Sequence, residues 1–600
     1  MSAATLPAGA AIVVLGPRAA ALGRRIADHL PAARLHAPAG RGIACAVEYT
    51  AAVPHLAALF AAGTPIVGVC AAGILIRAVA PLVADKRAEP PVVAVAEDSS
   101  SIVPLLGGHR GANALAQAIA SLTGGQAAIT TASELALGVA LDAPPPGWRI
   151  ADAQRVKAMA AALVAGDKVA LAIEAGDADW LAASGIEFAA AAARTIRVTD
   201  RVARADDALV FHPPVLALGV GCARNCDPGE LAALVDETLA AHGLAPGAVA
   251  LVASIDRRMD EPAVAALAAA LDVPARFFAV AALLAETPRL ASPSETVFRA
   301  VGCYGVAEGA ALAAVGAEGA LVVAKRRSRN ATCAVARAPR PLDAATIGRQ
   351  RGTLAIIGIG PGDRRWRTAE ADAALAQASE VVGLSLYLDL LGRDIAGKRR
   401  HDGVLGAEAA RVRVALDRAA AGRDVALVSS GDAGIYGLAA LAFELIDREA
   451  NEAWRRVAVA VVPGVSAMQA AAARLGAPLG HDFCAVSLSD LLTPWPVIER
   501  RLEAAAAGDF VVALYNPRSA RRATQLRRAC EILLRARDPA TPAAWARNLG
   551  RAGERVVVTT LGRLAEDAID MLTIVIIGSS TTRASVFPPQ HLYTPRGYRR

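Results

Sequence analysis

Cysteine is scarce in this chain: eight in 600 residues, in no dense pairing pattern. That scarcity excludes a secreted disulfide framework. Aromatic residues make up only 4%. No basic run is interleaved with stacking rings, which argues against a single-stranded nucleic acid as partner. Long uncharged apolar runs are missing too. A bilayer span needs about 20 such residues, and the apolar stretch from Ala263 to Glu286 is interrupted by Asp272 and Arg276. The start, MSAATLPAGAAIVVLG, lacks the basic region of a signal peptide; its Ile12–Leu15 reads as a first strand running into Gly16. These absences predict a cytoplasmic chain with no membrane partner.

Two nucleotide signatures are also absent. Neither C-terminal glycine stretch ends in Gly-Lys-Ser/Thr, so there is no Walker A loop. Gly358-Ile-Gly-Pro-Gly362 has the spacing G-x-G-x-G, and Pro361 removes one amide. The dinucleotide fingerprint, G-x-G-x-x-G opening into a helix, is not met, which disfavours a nicotinamide dehydrogenase.

What is present points to several α/β domains. Six hundred residues exceed one core. The apolar fraction is 54%, much of it alanine, and the net charge of +7 favours an anionic partner: nucleic acid, membrane or an acidic small molecule. Ile12–Leu15, Ile66–Val69, Val92–Val95, Lys168–Ile173, Val215–Val220, Val249–Val252 and Leu321–Ala324 read as buried strands, with amphipathic helices between them. Proline-rich seams at 144–146, 212–214 and 337–341 divide the chain into 1–145, 146–212, 213–340 and 350–600. The segment near 150–210 is featureless.

The sharpest signal lies in the last segment. Val425–Val428 runs into SSGDAGIYG, Ser429 to Gly437. Its glycines permit positive-φ backbone. Asp432 can accept from an ammonium or a ribose hydroxyl, while nearby amides can bind a carboxylate; alternatively Asp432 makes an ordinary Asx-turn. Ala458–Ala467, Phe510–Arg518, Arg555–Thr560 and Leu572–Gly578 are further strands with polar ends. Such ends form the ligand-binding rim of an open α/β sheet.

The order IGIGPG, SSGDAGIYG, VVPGVSA, LYNPRS, DMLTIVIIGSS resembles the tetrapyrrole methyltransferase superfamily. Within it, GHDFCAVSLSDLLTPW, YNPRSARR, RNLGR and TTLGRL resemble the precorrin-3B C17-methyltransferases, over nearly all of 353–584. Ser579 departs from the family's usual asparagine in the last strand. The resemblance implies a two-lobed fold with S-adenosylmethionine (S-adenosyl-L-methionine) in the cleft. Asp432, Ala433, Ile435 and Tyr436 would hold its amino-acid end. Ser466, Ala467, Leu514, Asn516, Leu549, Thr560 and Leu561 would line the rest, with Gly360 and Pro361 on the substrate side. Methyl transfer needs mainly alignment; ring contraction also needs an acid or base. His481 is the first candidate, followed by Asp482, Ser429 and Ser489. Arg364, Arg365, Arg367, Lys398, Arg399, Arg400, Arg518 and Arg521 can meet the acetates and propionates of a precorrin, or be solvated surface.

In the first half, LLGGHRGAN combines amides, His109 and Arg110 at a helix start. The residues alone read as an anion-binding loop, hydrolytic or not, or as a polar helix start. GILIRAVAPLVADK, LLGGHRGAN and ITTAS, with GVGCARNC, ASIDRR and GVAEGAAL, resemble the cobalt-precorrin-5A hydrolase family. That family opens the lactone formed in ring contraction and releases acetaldehyde. By this resemblance His109, Arg110 and Asn113 bind or activate the lactone, and Glu308 is a further catalytic candidate. Cys222-x-x-x-Cys226 reads as structural rather than as a metal pair, and its turn departs from the acid-bearing turn expected, so the third domain is either catalytic or a binding module. Any cobalt arrives in the substrate.

The expected fold class is thus α/β and multidomain, a two-lobed tetrapyrrole methyltransferase fold preceded by α/β domains of the hydrolase type. Expected partners are precorrin or cobalt-precorrin substrates, other corrin-pathway enzymes and a second copy in a homodimer. The alternatives are a non-catalytic precorrin-binding first half, or a same-fold methyltransferase acting on RNA or protein.

Overall fold

The computed structural model describes residues 6–7, 9–85, 89–130, 137–203, 208–519, 522–564, 568–585 and 591–597, apart from the His109 side chain. Lys86, Arg521 and Thr131–Ser133 of the ITTAS motif lie outside the described residues. The chain forms two compact units, Met1–Gln350 and Arg351–Arg600. Among the described residues no single helix is long and apolar enough to cross a membrane.

Unit 1 holds three sheets. The first contains β1 (Ala11–Val14), β2 (Arg34–Pro38), β3 (Val47–Tyr49), β4 (Ile66–Val69), β5 (Val92–Val95), β6 (Ser101–Leu106) and β7 (Gln126–Ala127), in the order β3-β2-β1-β4-β5-β6-β7. β1 to β5 run parallel, and β6 pairs antiparallel with β5. The apolar runs are continuous because both faces are covered. Ile12, Val14, Val67 and Val69 enter one core, while Ala11, Val13 and Ile66 enter the other.

The second sheet joins β8 (Arg149–Ile150), β9 (Val169–Ile173), β10 (Arg194–Val198) and β11 (Leu209–His212) in the order β8-β11-β10-β9. It occupies the stretch that looked featureless. β10 is Arg-Thr-Ile-Arg-Val, with only Ile196 and Val198 buried, so it offers no apolar run. The third sheet joins β12 (Leu216–Cys222), β13 (Val249–Ile255), β14 (Ala275–Phe278), β15 (Ala320–Arg327) and β16 (Ala331–Arg337) in the order β14-β13-β12-β16-β15.

Unit 2 has two lobes. The first is an all-parallel sheet of β17 (Thr353–Gly358), β18 (Glu380–Leu384), β19 (Arg399–Gly403), β20 (Asp424–Ser429) and β21 (Ala458–Val462), in the order β19-β18-β20-β17-β21. Leu354, Ile356, Val425 and Leu427 pack on helices Glu408–Ala420 and Ala439–Arg448. Ile357, Ala426 and Val428 pack on the opposite face with Leu375 and Leu388. A small sheet pairs β22 (Gly476–Ala477) with the C-terminal strands. The second lobe is a mixed sheet of β23 (Phe483–Ser487), β24 (Val511–Tyr515), β25 (Pro542–Arg547), β26 (Arg555–Thr560) and β27 (Thr573–Ile577), in the order β23-β24-β27-β25-β26.

Strand order in the first lobe brings β20, β17 and β21 side by side, so the loops at their C-terminal ends converge. In an open α/β sheet this is where a ligand is held.

Candidate functional site

The three convergent loops are tied to each other through backbone. Gly360 and Gly431 exchange amide-to-carbonyl hydrogen bonds of 3.1 and 2.8 Å. Gly464, after β21, lies so close that a Cβ there would overlap the Gly431 and Gly358 carbonyls. Gly431 adopts φ 70°, the left-handed region that glycine enters without strain. Asp432 then locks the assembly. One carboxylate oxygen accepts from the Gly434 and Ile435 amides at 2.8 and 3.0 Å, and the other from the Gly464 amide at 3.0 Å. Asp432 thus makes the Asx-turn and also lines the cavity. Its carboxylate shapes the loop whose surface faces the cavity.

Beyond the loops, Ser466 caps helix Ala467–Leu475 in a capping box with Gln469. The second lobe supplies the far wall. Tyr515, at the end of β24, accepts from the Met468 amide at 3.2 Å, and its ring lies 5.0 Å from that of Tyr436. The Tyr436 hydroxyl donates to the Ala485 carbonyl at 3.0 Å. Burial pushes both phenols above their usual range. Between the lobes lies a cavity of about 190 Å³. Eight of the thirteen expected ligand-binding residues line it: Pro361, Asp432, Ile435, Tyr436, Ser466, Ala467, Asn516 and Leu549. Tyr436, Asn516 and Asn548, at φ 53, 51 and 53°, all line it too. They are three of nine non-glycine residues with left-handed backbone among the described residues. Of the three, Tyr436 is the residue for which this conformation carries strain, a feature that functional sites often hold.

The family model for tetrapyrrole (corrin/porphyrin) methylases matches residues 353–565. A probable cobalt-factor III C(17)-methyltransferase of Salmonella typhimurium is 44% identical over 245 residues, which is 41% of this chain and 99% of that protein. The chain belongs to the tetrapyrrole (corrin/porphyrin) methylases. A precorrin-3B C(17)-methyltransferase of Sinorhizobium is 46% identical over 254 residues, 41% of this chain and 97% of its own length. A solved structure of the methyltransferase CobJ is 40% identical, covering 41% of this chain and 100% of that one, with a TM-score of 0.39. Ahead of the methylase, residues 54–134 match the cobalamin synthesis G N-terminal family, 140–213 the cobalamin biosynthesis central region, and 216–336 the cobalamin synthesis G C-terminus. The chain is a fusion of those modules with a tetrapyrrole methylase.

The other expected residues fall elsewhere in this methylase. Ala433 is buried in the first lobe's core, and Leu514 and Leu561 in the second's, because each points to the packed side of its element. Gly360 is tied to Gly431 through backbone and is outside the lining, and Thr560 ends the edge strand β26, also outside it. Ser429 is buried, and its hydroxyl accepts from the Leu438 amide at 3.4 Å; its neighbour Ser430 lines the cavity instead. His481 and Asp482 stand on an exposed turn away from the lining, with side chains 54% and 79% exposed. Ser489 accepts from Arg522 at 3.2 Å.

Most of the expected carboxylate-binding arginines are already paired. Arg367 bonds Asp372 and Asp394, and Arg364 lies against the same two acids. Arg365 bonds Asp363; Arg400 bonds Asp389 and Asp402. Lys398 donates to the Ala376 and Ala378 carbonyls. Arg399 stays exposed, and Arg518 follows β24 outside the cavity lining.

Sequence reasoning missed Tyr387, Tyr515, Asn548 and Arg551 on the cavity wall. RNLGR was noticed as a motif, but nothing in it says that its last residue turns inward.

In unit 1, Gly107 and Gly111, both left-handed, bracket the His109 loop. Arg110 is exposed, and Asn113 is buried in the first turn of helix Ala112–Thr123. Glu308 is 1% exposed in helix Val306–Val315. Its oxygens accept from the Ser292 amide at 3.0 Å and the Lys325 amide at 2.8 Å, so both are held by backbone. Burial, then Glu261 and Cys226, push the Cys222 thiol up to about 12. Among the described residues no group of three or more His, Cys, Asp or Glu is placed to hold a metal.

Proposed function

We propose that residues 351–600 methylate ring carbon C17 of precorrin-3B or cobalt-factor III, using S-adenosylmethionine and contracting the ring. The observation that carries this is the cavity walled by the three glycine loops, in a segment that spans 97–99% of two relatives named for C17 methylation.

The residues fit the cofactor. The Gly431–Tyr436 turn and the capped start at Ser466 present backbone polar groups close to open space, since nothing lies nearer than 3.7 Å to a Cβ placed on Gly431. Tyr436, Tyr515 and Leu549 offer flat and apolar surface for a nucleoside, and Asn516 a polar edge. When bound, the sulfonium supplies an activated methyl group. The protein's share is alignment and exclusion of water. The macrocycle is wider than the cavity and so extends past its mouth; His481, exposed and outside the lining, serves proton transfer in the contraction only where the bound ring reaches its turn.

Residues 1–350 open the lactone left by contraction, with the 107–113 loop holding it. A second reading, a non-catalytic holder of the macrocycle, is favoured by Glu308, whose carboxylate is fully engaged by amides. Fusion keeps an unstable intermediate at high effective concentration.

The test is anaerobic incubation with S-adenosylmethionine and either macrocycle, followed by mass spectrometry. Gain of one methyl group is expected, and no gain on either substrate overturns the reading. Acetaldehyde release once the next methylation has occurred identifies a hydrolase. Its persistence in His109→Ala would instead leave the loop a holder.

A further inference from the structure

Among the described residues, Arg551 is the one arginine in the lining of the cavity. Yet no carboxylate among the described residues pairs with it. Its Nε donates to the Pro361 carbonyl at 2.8 Å, and Nη2 donates to the Ser430 hydroxyl at 3.0 Å. The guanidinium stands 5.7 Å from the Tyr387 ring centroid. Three contacts thus fix the plane of the group, and Nη1 has no hydrogen-bond partner among the described residues. Arg364, Arg365, Arg367 and Arg400 are all neutralised by aspartates within the same lobe.

We propose that Arg551 is the carboxylate-binding residue of this cavity, with Ser430 beside it. A half-buried cation without a counter-ion carries an uncompensated desolvation cost, consistent with the lowering that burial imposes on Arg551. A bound carboxylate offsets it. A guanidinium held flat by two protein bonds presents its remaining N–H edge ready for bidentate pairing, with little left to order. The Ser430 oxygen accepts from Arg551, so its own proton is available to the same anion. This rests on the function proposed above, and it adds where the ligand's negative charge is read. Two carboxylates fit: that of the methionyl end of the cofactor, and an acetate or propionate of the macrocycle.

Calorimetry and kinetics separate them. The probes are S-adenosylhomocysteine, 5′-methylthioadenosine, which lacks the amino-acid end, and cobalt-factor III, on the full chain and its Arg551→Met and Arg551→Lys variants. If the methionyl carboxylate is bound, Arg551→Met weakens S-adenosylhomocysteine about ten- to hundredfold and leaves methylthioadenosine unchanged. If the macrocycle is bound, both nucleosides are unaffected, while KM for cobalt-factor III rises about tenfold or more and Arg551→Lys restores part of it. Equal weakening of both nucleosides means a collapsed wall and overturns the proposal, as does wild-type behaviour in a folded Arg551→Met. Failure of the unaltered chain to bind or methylate anything overturns the parent reading and this proposal together.

Discussion

Asp432 and Gly464 are joined across two loops by a single hydrogen bond, the Gly464 amide donating to the Asp432 carboxylate at 3.0 Å. The other oxygen of that carboxylate holds two amides of its own loop. One side chain therefore sets both the shape of the SSGDAGIYG turn and its distance from the next loop. Asp432→Ala removes all three bonds, and a loss of roughly 2–3 kcal/mol is expected. Asp432→Asn keeps one oxygen for Gly434 and Ile435 but turns a donor toward Gly464. S-adenosylhomocysteine affinity should fall in both, more in Ala, with Asn losing less stability in a thermal melt. Unchanged affinity in Asp432→Ala would remove the loop from the cofactor site.

The glycines of these loops are not equivalent. Gly464 and Gly431 differ in what a Cβ would meet: backbone carbonyls at the first, nothing nearer than 3.7 Å at the second. Gly464→Ala must push the β21 and β20 loops apart, at a cost of about 1–3 kcal/mol for such overpacking. Gly431→Ala meets space but keeps φ 70°, which costs about 1 kcal/mol. Chemical denaturation of the two variants should rank them in that order.

How much of this was legible follows from where the physics is local. Val425–Val428 and Ile66–Val69 read as strands because both faces of a parallel sheet are buried, and the apolar run is the signal. β10 gave none, since Arg194 and Thr195 open it and Arg197 separates its two buried residues. At the site, glycine loops after strands were readable, and so was Asp432. Leu514 and Leu561 were not separable from cavity residues, because motif membership does not say which way a side chain points. Arg551 meets Pro361 190 positions away in the chain, a relationship that exists only once both lobes have folded.

Glu380 opens β18 at 4% exposure, with Arg418 bonding both its oxygens at 2.7 and 2.6 Å and His401 at 2.7 Å. The Arg418 hydrogen bonds, outweighing burial, pull its carboxyl down to about 2. A carboxyl depressed in the folded state adds stability above its unfolded value of about 4.5, and this is lost as pH falls toward 2. The wild-type melting temperature should therefore drop more steeply between about pH 4.5 and 2 than that of Glu380→Gln. At pH 7 the variant should be less stable by about 1–3 kcal/mol. Parallel pH profiles would show that the network does not act through this carboxyl.

Glu308 separates a structural from a catalytic role in the first unit. The two amides it accepts come from Ser292 and from Lys325 in β15, and Lys325 returns a bond to the Ser292 carbonyl at 3.1 Å. Glu308→Gln retains an oxygen for one amide and sets an NH2 against the other, leaving buried donors facing each other. A loss of roughly 2–4 kcal/mol in the unfolding of the full chain is expected. Acetaldehyde release per folded molecule, measured below the transition, should stay within about twofold of the unaltered chain. The reverse pattern, full stability with lost release, would make Glu308 a catalytic acid. That would require its buried carboxylate to leave both amides for the substrate, which means opening helix Val306–Val315 at its first turn.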